Sequence, residues 1–395
     1  MSPTPATAAG GDVWAGGSVR HRFDHAVVGA GLSGLLLVRA LLGRSDGVSG
    51  PAPSILLLDP RTQLPRTTFA YWHTTPTLLD GWAIGSWDSL DVVDPRGRQH
   101  RVALEGWRYT AVDWAAARAA LLAEVVADHR VTFVPRPVDG IRDGAQSAAV
   151  RCDGHWTYAD WVYDSRAPQT SARSGGLRQS FRGLWVETDE DCVDERAATL
   201  LDFSVGSGST LGFAYALPVS ARSALVMSVR IGRSPEVPDP AAAVRRVVRG
   251  REWRSIGEES GITGLVSRPS SRRLGRRVLA IGVHGGRVRP STGYAVTRII
   301  ADSNAIAASV QQHRHPFDLP PDPCWMRRLD DIWLRAVASE GAGLAPAFVE
   351  LFTGAPVTSV LRFLEGSAHP TDLLRVVGAL SPGPFVRAAL RPRSR

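Results

Sequence analysis

The chain has 395 residues, 44% hydrophobic and 21% charged, with a formal net charge of +8. This composition suits a globular protein with a buried core and excludes a largely disordered one. All 46 basic residues are arginines, spread along the chain without a helix-turn-helix or zinc-knuckle pattern, so we expect no nucleic-acid partner.

The first predicted elements form a β–α–β unit. Residues 1–20 are rich in Ala, Gly, Thr and Pro and predict a disordered lead. The strand Phe23–Val28 passes through a glycine-rich turn into an apolar helix, Leu35–Leu42. A second buried strand, Ile55–Leu58, then ends at Asp59. This order predicts two strands joined by a helix.

The middle of the chain changes to successive strands. An aromatic stretch, a helix capped by Asp113 and two further strands come first. Alternating apolar and polar residues between turn residues then predict an antiparallel sheet. Its strands are Leu184–Thr188, Ala198–Val205, Leu211–Leu217 and Ala224–Ile231. A helix over about 240–253 follows, and then a loop in which we expect Glu258 and Glu259 to be solvated.

The last third repeats the strand–loop–helix order and then becomes helical. A strand, Val278–Ile281, is followed by a glycine-rich loop and a helix from near Thr292 to about Gln312. Beyond a Pro-rich link, the apolar periodicity predicts helical segments near Trp325–Ser339, Val357–Leu364 and Thr371–Leu380.

The glycine-rich turn after the first strand fits a dinucleotide. Gly29 permits a tight turn, Gly31 lets backbone N–H groups approach a pyrophosphate, and Gly34 lets the helix pack closely on the strand. The helix N-terminus adds partial positive charge. Asp59 is placed to accept hydrogen bonds from the ribose hydroxyls. A turn without a ligand is the alternative, but the strand–turn–helix–acid context favours a nucleotide site.

The second glycine-rich loop, together with the first, favours FAD over NAD(P). Taken alone, this loop has a simple N-capped helix as its alternative. FAD is long enough to need both a first cradle and a distant second one, whereas NAD(P) is not, so the pair predicts bound FAD. Hydroxyls and N–H groups at a helix start would polarise the flavin ring. The residues expected at the flavin are Gly285, Gly286, Pro290, Ser291, Thr292 and Gly293.

These elements predict an α/β fold: a Rossmann-like FAD-binding domain with an inserted antiparallel β-sheet substrate region and a helical C-terminus. The FAD-binding domain is expected over 21–166 and 275–312. The substrate region is expected over 167–274 and the helical region over 313–395.

Cysteine, histidine and targeting patterns favour the cytoplasm. The three cysteines and the histidines show no disulfide or metal-ligand spacing, so no metal is expected. The N-terminus lacks a signal-peptide layout, and no apolar run approaches the ~18 residues that a membrane span needs. We expect a cytoplasmic protein whose membrane contact is peripheral.

Several stretches resemble the bacterial lycopene cyclase family. The most extended is Gly282–Ala295, with the sequence GVHGGRVRPSTGYA. Shorter ones are Thr68–Trp72, Tyr163–Arg166, Leu200–Phe203, Phe213–Pro218 and Val360–Leu364. The likeness keeps its order from His21 to Phe385, nearly the whole chain.

The resemblance implies a cyclisation without net redox change. In such enzymes FAD must be reduced, typically by NAD(P)H. An acid protonates the terminal double bond of a linear polyene, of which lycopene is the leading case. The neighbouring double bond then closes a six-membered ring, and proton loss completes the isomerisation. Electron-rich walls would stabilise the cation. Pocket candidates are Trp72, Phe213, Tyr215 and Met227, with a core role as the alternative for the aromatic ones.

One strand departs from the family's pattern. Family members carry an acid, their expected proton donor, where this chain has Met227 and Ser228. Neither side chain can protonate an alkene. Asp202 on a neighbouring strand is the candidate catalytic acid, because a buried carboxyl group can hold a proton near neutral pH. An ion pair with an arginine is its alternative.

The replaced acid leaves several functions open. The substrate can be another linear polyene or terpenoid with a different proton source. An FAD-dependent monooxygenase or oxidoreductase is a second alternative on the same architecture. The third is a relative without catalysis that still binds flavin and an apolar ligand.

Overall fold

The computed structural model describes residues 22–43, 53–166, 176–206, 208–233, 236–265 and 271–390. The predicted disordered lead, 1–20, lies outside the described residues. In chain order the strands are β1 (Arg22–Val28), β2 (Ile55–Leu58), β3 (Thr68–His73), β4 (Ala83–Trp87), β5 (Ser89–Val93), β6 (Gln99–Ala103), β7 (Arg108–Asp113), β8 (Val131–Val134), β9 (Gly140–Arg142), β10 (Ala148–Cys152), β11 (His155–Asp164), β12 (Leu177–Glu187), β13 (Ala198–Asp202), β14 (Leu211–Ser220), β15 (Ser223–Gly232), β16 (Arg254–Leu265) and β17 (Val278–Ala280).

The helices are α1 (Leu32–Leu41), α2 (Trp114–Val126), α3 (Ala241–Val247), α4 (Val296–His313), α5 (Cys324–Glu340), α6 (Ala345–Gly354), α7 (Val357–Glu365), α8 (Pro370–Ala379) and α9 (Gly383–Leu390). The helical C-terminal region is therefore confirmed. The helix predicted over about 240–253 is the shorter α3.

The first sheet holds the predicted β–α–β unit. Its strand order is β8-β2-β1-β11-β10-β9, and β17 pairs with the end of β11. The strands β8, β2, β1, β11 and β17 run parallel. Both faces of β1 and β2 are buried, with α1, α2 and α4 packed on one of them. A strand covered on both faces reads as a continuous apolar run, which is why Ile55–Leu58 has no polar residue.

The second sheet has the strand order β16-β12-β15-β14-β13-β5-β6. The pairs β12–β15, β14–β15 and β13–β14 are antiparallel, as the alternating pattern predicts. The sheet also takes in β5 and β6, which lie within 21–166, the stretch that the sequence assigns to the FAD-binding domain. Because β5 pairs with β13 about a hundred residues later, no local pattern marks it as part of this sheet.

The predicted loop with Glu258 and Glu259 is wrong. These residues lie in β16, a long strand that pairs with β12 at the edge of the second sheet. The strand contains three glycines and many polar residues, because one of its faces meets solvent. That composition resembles a loop when only the sequence is considered.

A small third sheet joins the two large ones. Its order is β3-β7-β4, and it contains the aromatic stretch that follows β2. The strand β3 contacts α2 and α4 beside the first sheet, while β4 contacts β14 of the second sheet. The aromatic side chains of this stretch therefore lie where the two large sheets meet.

The two faces of the second sheet have different surroundings. On the inner face, Tyr215, Met227 and Trp185 pack with the third sheet and the C-terminal helices. On the outer face, Ala214 and Val226 pack under α3. Successive side chains alternate between these faces, so the face of each candidate residue follows from its register.

Candidate functional site

The first glycine-rich turn has the geometry that a bound pyrophosphate needs. Gly29 adopts a positive φ of 101°, which favours glycine. A Cβ on Gly34 would lie 1.9 Å from the carbonyl oxygen of Gly29, so α1 can approach the turn only without a side chain there. A Cβ on Gly31 would meet nothing within 4 Å. Gly31 is also the N-cap of α1 and forms no side-chain cap, so the helix N-terminus faces open space at this point.

Asp59 holds this turn in place. Its carboxylate accepts a hydrogen bond from the backbone N–H of Ala30 at 2.8 Å and from the N–H of Arg61 at 2.8 Å. Burial would raise the pKa of Asp59, but the hydrogen bonds from Arg61 and Ala30 outweigh it and hold the pKa below its ordinary value. Asp59 lies at the end of β2, as predicted. Its contact with a ribose stays a prediction.

A buried arginine supports the same turn and was missed by the sequence reasoning. Arg118 of α2 is 2% exposed and donates from Nε to the carbonyl oxygen of Ala30 at 2.9 Å. Its Nη2 lies 3.7 Å from Asp59. Nothing in the helical pattern distinguishes Arg118 from a solvated arginine, because its role depends on contacts made far along the chain.

The two glycine-rich loops meet at the carboxyl ends of three parallel strands. A Cβ on Gly29, after β1, would lie 2.1 Å from Oγ of Ser165, after β11. A Cβ on Gly282, after β17, would lie 2.4 Å from Oγ of Ser33 in the first turn of α1. The carboxyl edge of a parallel sheet is where α/β folds bind ligands. Two loops joined there can bind one extended molecule.

The second loop ends in a tight turn rather than in a helix. Gly293 has a positive φ of 75°, and its N–H donates to the carbonyl oxygen of Arg289 at 2.8 Å. The helix α4 therefore begins at Val296, later than the predicted start near Thr292. The buried Oγ of Ser291 has no hydrogen-bond partner among the described residues, which leaves it available to a ligand.

Other glycines of this loop shape its course. A Cβ on Gly285 would lie 2.5 Å from the carbonyl oxygen of Ala280, and Gly286 has a positive φ of 71°. A Cβ on Gly293 would lie 3.0 Å from Oε1 of Gln179, on β12. The Pro290–Gly293 turn therefore touches the second sheet as well as the first. A group held by this turn would lie between the two sheets.

An aromatic cluster lies beside this turn. The ring of Trp72 is 4.3 Å from that of Tyr294 and 5.9 Å from that of Tyr109. The hydroxyls of Tyr109 and Tyr294 are hydrogen-bonded at 2.9 Å. Burial raises the pKa of Tyr294 to about 12 and that of Tyr109 well above its ordinary value, so both phenols are neutral at physiological pH. The structure thus places Trp72 next to the loop that carries Tyr294.

A row of side chains crosses the inner face of the second sheet. The register pairs Tyr215 with Met227, Met227 with Gly183, and Gly183 with Glu259. The hydroxyl of Tyr215 contacts Sδ of Met227 at 2.6 Å. A Cβ on Gly183 would lie 2.9 Å from Cε of Met227, so the methionine leans over the glycine toward Glu259. We call these four residues the inner-face row.

Glu259 is the acid of the inner-face row. It is 7% exposed, and it accepts hydrogen bonds from the N–H of Thr68 at 2.7 Å, the hydroxyl of Thr68 at 2.8 Å and Nε1 of Trp185 at 2.8 Å. After burial and Tyr294, the charge of Glu259 is a further cause of the raised pKa of Tyr215. Its neighbour Glu258 points to the outer face, is 48% exposed and pairs with Arg182.

Asp202 lies on the wrong face to act as the acid of this row. It pairs with Ala214, and Ala214 pairs with Ser228, so Asp202 and Ser228 share the outer face. Its carboxylate forms an ion pair with Arg246 of α3 at 2.9 Å and accepts hydrogen bonds from Ser204. The predicted role of Asp202 as the catalytic acid is therefore wrong, and the alternative, an ion pair with an arginine, is correct. The sheet lies between Asp202 and Met227.

Phe213 lies on the inner face but away from the inner-face row. Its ring is 5.9 Å from that of Phe203, which in turn packs 5.4 Å from Phe348 of α6. These contacts place Phe213 against the C-terminal helices. Phe213 is therefore a core residue, which was the alternative to its predicted place in the substrate pocket. No cluster of metal-ligating side chains occurs in the part of the chain that the structure describes.

The two joined loops, the parallel sheet and the inserted antiparallel sheet define the fold of two-sheet flavoproteins. Solved structures share it. A geranylgeranyl bacteriochlorophyll reductase-like protein from Thermoplasma acidophilum matches with a TM-score of 0.60 and 12% identity, over 93% of this chain and 98% of that one. A flavoprotein/dehydrogenase from Cytophaga hutchinsonii matches with a TM-score of 0.57 and 11% identity, over 90% and 95%. At these identities the likeness shows the fold alone, and it confirms the predicted fold class.

The family follows from a match along the chain. The family model described as lycopene cyclase protein matches residues 24–390. The chain belongs to the lycopene cyclase family, as the resemblance in the glycine-rich and aromatic stretches indicated. No curated protein sequence matches the chain.

Proposed function

We propose that the chain binds FAD and, with the flavin reduced, cyclises the end of a linear polyene, lycopene being the leading case. The observation that carries this proposal is the inner-face row, which brings Glu259 and the electron-rich Met227 and Tyr215 together beside the loop of Tyr294. NAD(P)H is the proposed reductant. The family supports the reaction class, and the site's composition supports a cationic intermediate.

The residues for FAD come from both loops. Gly29, Gly31 and the N-terminus of α1 would hold the pyrophosphate, and the Pro290–Gly293 turn would hold the flavin ring. These positions fit because the N-terminus of α1 is open at Gly31 and the buried hydroxyl of Ser291 has no partner. Reduced FAD would supply an electron-rich ring face close to the developing positive charge.

The surrounding side chains would stabilise a cation in two ways. Trp72, Tyr109 and Tyr294 present aromatic faces, which attract positive charge. Glu259 accepts three hydrogen bonds and donates none, so these bonds hold its two oxygens in place as a fixed negative charge. Its distance from Met227 is that of two strands, about 10 Å between backbones. At that distance, in a buried site, the carboxylate attracts a cation formed over Met227.

Expression in a lycopene-accumulating bacterial host tests the proposal. Carotenoids extracted from the cells are separated by chromatography, and the purified protein is examined for bound FAD by its absorption spectrum. We expect γ- or β-carotene and a yellow protein. Unchanged lycopene with a yellow protein would overturn the lycopene assignment. A hydroxylated product formed with oxygen consumption would favour the monooxygenase class instead.

Met227→Glu is expected to raise the cyclisation rate about 10-fold. The new carboxyl would lean over Gly183 toward Glu259, and repulsion between two neighbouring carboxylates raises the pKa of one of them into the range of a proton donor. Initial product rates at pH 7 measure the effect. Met227→Gln matches the size and polarity without an ionisable group. If Met227→Gln raises the cyclisation rate as much as Met227→Glu, an acid in the inner-face row does not donate the proton.

Peripheral membrane contact is proposed for the C-terminal helices. Of the described helices none can span a bilayer alone, although α8 and α9 pass that test together as a pair bent by 110°. Both carry exposed apolar side chains, with Leu374 of α8 75% exposed and Leu390 of α9 79% exposed. A polyene is dissolved in the bilayer, so an apolar surface that touches it would shorten the substrate's path.

The double substitution Leu374→Glu and Leu390→Glu is expected to lower binding to anionic lipid vesicles at least about 10-fold, since it removes apolar area and adds negative charge. Flotation of the purified protein with vesicles measures the binding. Ile262→Glu, an exposed apolar position on β16, is the control. Equal loss in both proteins would show that charge alone, and not these two helices, governs the contact.

A further inference from the structure

Glu365 is a partly buried acid that the proposed reaction has not used. It is the last residue of α7 and lines a small cavity of about 10 Å³ together with Trp72, Tyr294 and Thr297. That volume is about the room that one water molecule needs. Trp72 and Tyr294 also belong to the aromatic cluster, so Glu365 shares this cavity with two of the rings that are proposed to face the cation.

The surroundings of Glu365 favour its protonated form. Its Oε1 is buried and has no hydrogen-bond partner among the described residues. Burial raises the pKa of Glu365 to about 7, and a hydrogen bond with Thr297 offsets only part of that rise. A carboxyl group with this pKa holds a proton in about half of the molecules at neutral pH, which suits a general acid.

The charged groups around the cavity leave Glu365 without a described ion pair. Arg289 and Arg298 both line the cavity, but Arg289 pairs with Asp330 at 3.2 Å and Arg298 with Asp322 at 2.8 Å. The remaining titratable groups of the cavity are the phenols of Tyr71 and Tyr294. Burial raises the pKa of both, so they are neutral in the pH range where Glu365 titrates.

The other carboxylates considered for the site are already engaged. Glu259 accepts three hydrogen bonds, and Asp202 is ion-paired on the outer face. At the position where the family carries its acid, this chain has Met227. Glu365 therefore combines closeness to the aromatic cluster with a buried carboxyl oxygen that has no described hydrogen-bond partner, which the other two acids do not.

We infer that Glu365 is the proton source of the cyclisation, an inference that rests on the proposed function. The O–H bond of Glu365 breaks as a C–H bond forms at the terminal double bond, leaving a tertiary cation and a carboxylate. The next double bond supplies the electron pair for the ring-closing C–C bond. The carbon beside the new cation loses one proton to solvent, and solvent returns one proton to the carboxylate of Glu365. Atoms and charge therefore balance, substrate and product are isomers, and nothing is oxidised.

The test compares four proteins: wild type, Glu365→Gln, Glu365→Asp and Glu350→Gln. Glu350, on α6, accepts hydrogen bonds from Ser381 and serves as the matched control. Each protein is purified with FAD, the flavin is reduced under nitrogen, and lycopene is supplied in vesicles. Product formation is followed from pH 5 to pH 9, and FAD content and thermal melting are recorded for every variant.

The wild-type rate is expected to fall about 10-fold per pH unit above roughly pH 7, because only the protonated carboxyl donates. Glu365→Gln should lose at least about 100-fold in rate and keep its FAD. Glu365→Asp should keep part of the rate and the same type of pH dependence, while Glu350→Gln should match the wild type. If Glu365→Gln does not fold, Glu365→Asp still tests the inference, because it keeps a carboxyl group at this position.

Three results overturn the inference, and those that spare the proposed function are distinguishable from the one that does not. If the wild type turns over and Glu365→Gln keeps its rate and pH dependence, Glu365 is not the proton source, although the proposed function stands. A Glu365→Asp variant that is active without the fall above pH 7 leads to the same conclusion. If the wild type with reduced FAD forms no cyclic product, the proposed function fails and the inference fails with it.

Discussion

Gly34→Ala is expected to yield a protein without bound FAD. The added methyl group would lie 1.9 Å from the carbonyl oxygen of Gly29, where no heavy atom can stay, and the contact is with backbone that cannot rotate away. The first turn of α1 must then move off β1. Because Asp59 and Arg118 are both bonded to Ala30 inside this turn, the displacement would also disturb the carboxylate at the end of β2. FAD content is measured from the flavin absorbance of the purified protein, with circular dichroism as the check on folding.

Gly378→Ala is the matched control for that substitution. Gly378 lies in α8, and a Cβ there would meet nothing within 4 Å. Since alanine forms helices better than glycine by about 1 kcal/mol, the control should keep its FAD and melt at the same temperature or slightly higher. Full FAD content in Gly34→Ala would mean that the pyrophosphate is not held at this turn.

Glu259→Gln is expected to lower the cyclisation rate about 100-fold while FAD stays bound. Glutamine keeps an oxygen for Trp185 or Thr68 but removes the negative charge from the inner-face row. It also turns an NH₂ group toward a site where every partner is a donor, so one buried hydrogen bond is lost. The loss should appear in kcat more than in KM, because the charge acts on the cation and not on the neutral polyene.

Glu258→Gln is the control for Glu259→Gln, since it changes the same residue type one position away. Glu258 is exposed on the outer face and pairs with Arg182, so its loss should leave the rate unchanged. Steady-state rates with reduced FAD are measured for both variants. Equal rates in the two would show that the charge of Glu259 does not contribute to the reaction.

The parts of the site that depend on backbone conformation could be predicted from the sequence. Gly29, Gly31, Gly34 and Asp59 lie close together along the chain, and the requirement for glycine there comes from the local turn. The second loop was predictable for the same reason, although its exact helix start was not. Gly293 adopts a left-handed turn that delays α4, and the sequence STGY is equally compatible with a helix N-terminus.

The acids could not be predicted from the sequence. Asp202 and Glu259 lie on opposite faces of one sheet, and that difference depends on bulges and on pairing between strands far apart in the chain. Glu259 looked solvated because β16 is an edge strand with glycines and polar residues. One carboxyl oxygen of Glu365 is buried where the end of α7 meets Thr297 of α4, and the sequence neighbours of Glu365 give no sign of that.

The stability of the fold should also report on Glu365. Its pKa is raised in the folded state from an ordinary value of 4.5 to about 7, so the folded protein binds the proton more tightly than the unfolded chain. The stabilising contribution is complete below about pH 4.5 and is lost as the pH rises toward 7. The melting temperature of Glu365→Gln minus that of the wild type should therefore be larger at pH 8 than at pH 5.

The most direct test of the proposed cyclisation uses deuterium oxide. The purified protein with pre-reduced FAD is mixed with lycopene vesicles in D₂O under nitrogen, and the products are analysed by mass spectrometry while the flavin spectrum is followed. We expect one deuterium for each ring formed and no oxidation of the flavin during turnover. Cyclic product without deuterium, or flavin oxidised in proportion to product, would contradict a proton-initiated reaction without net redox change.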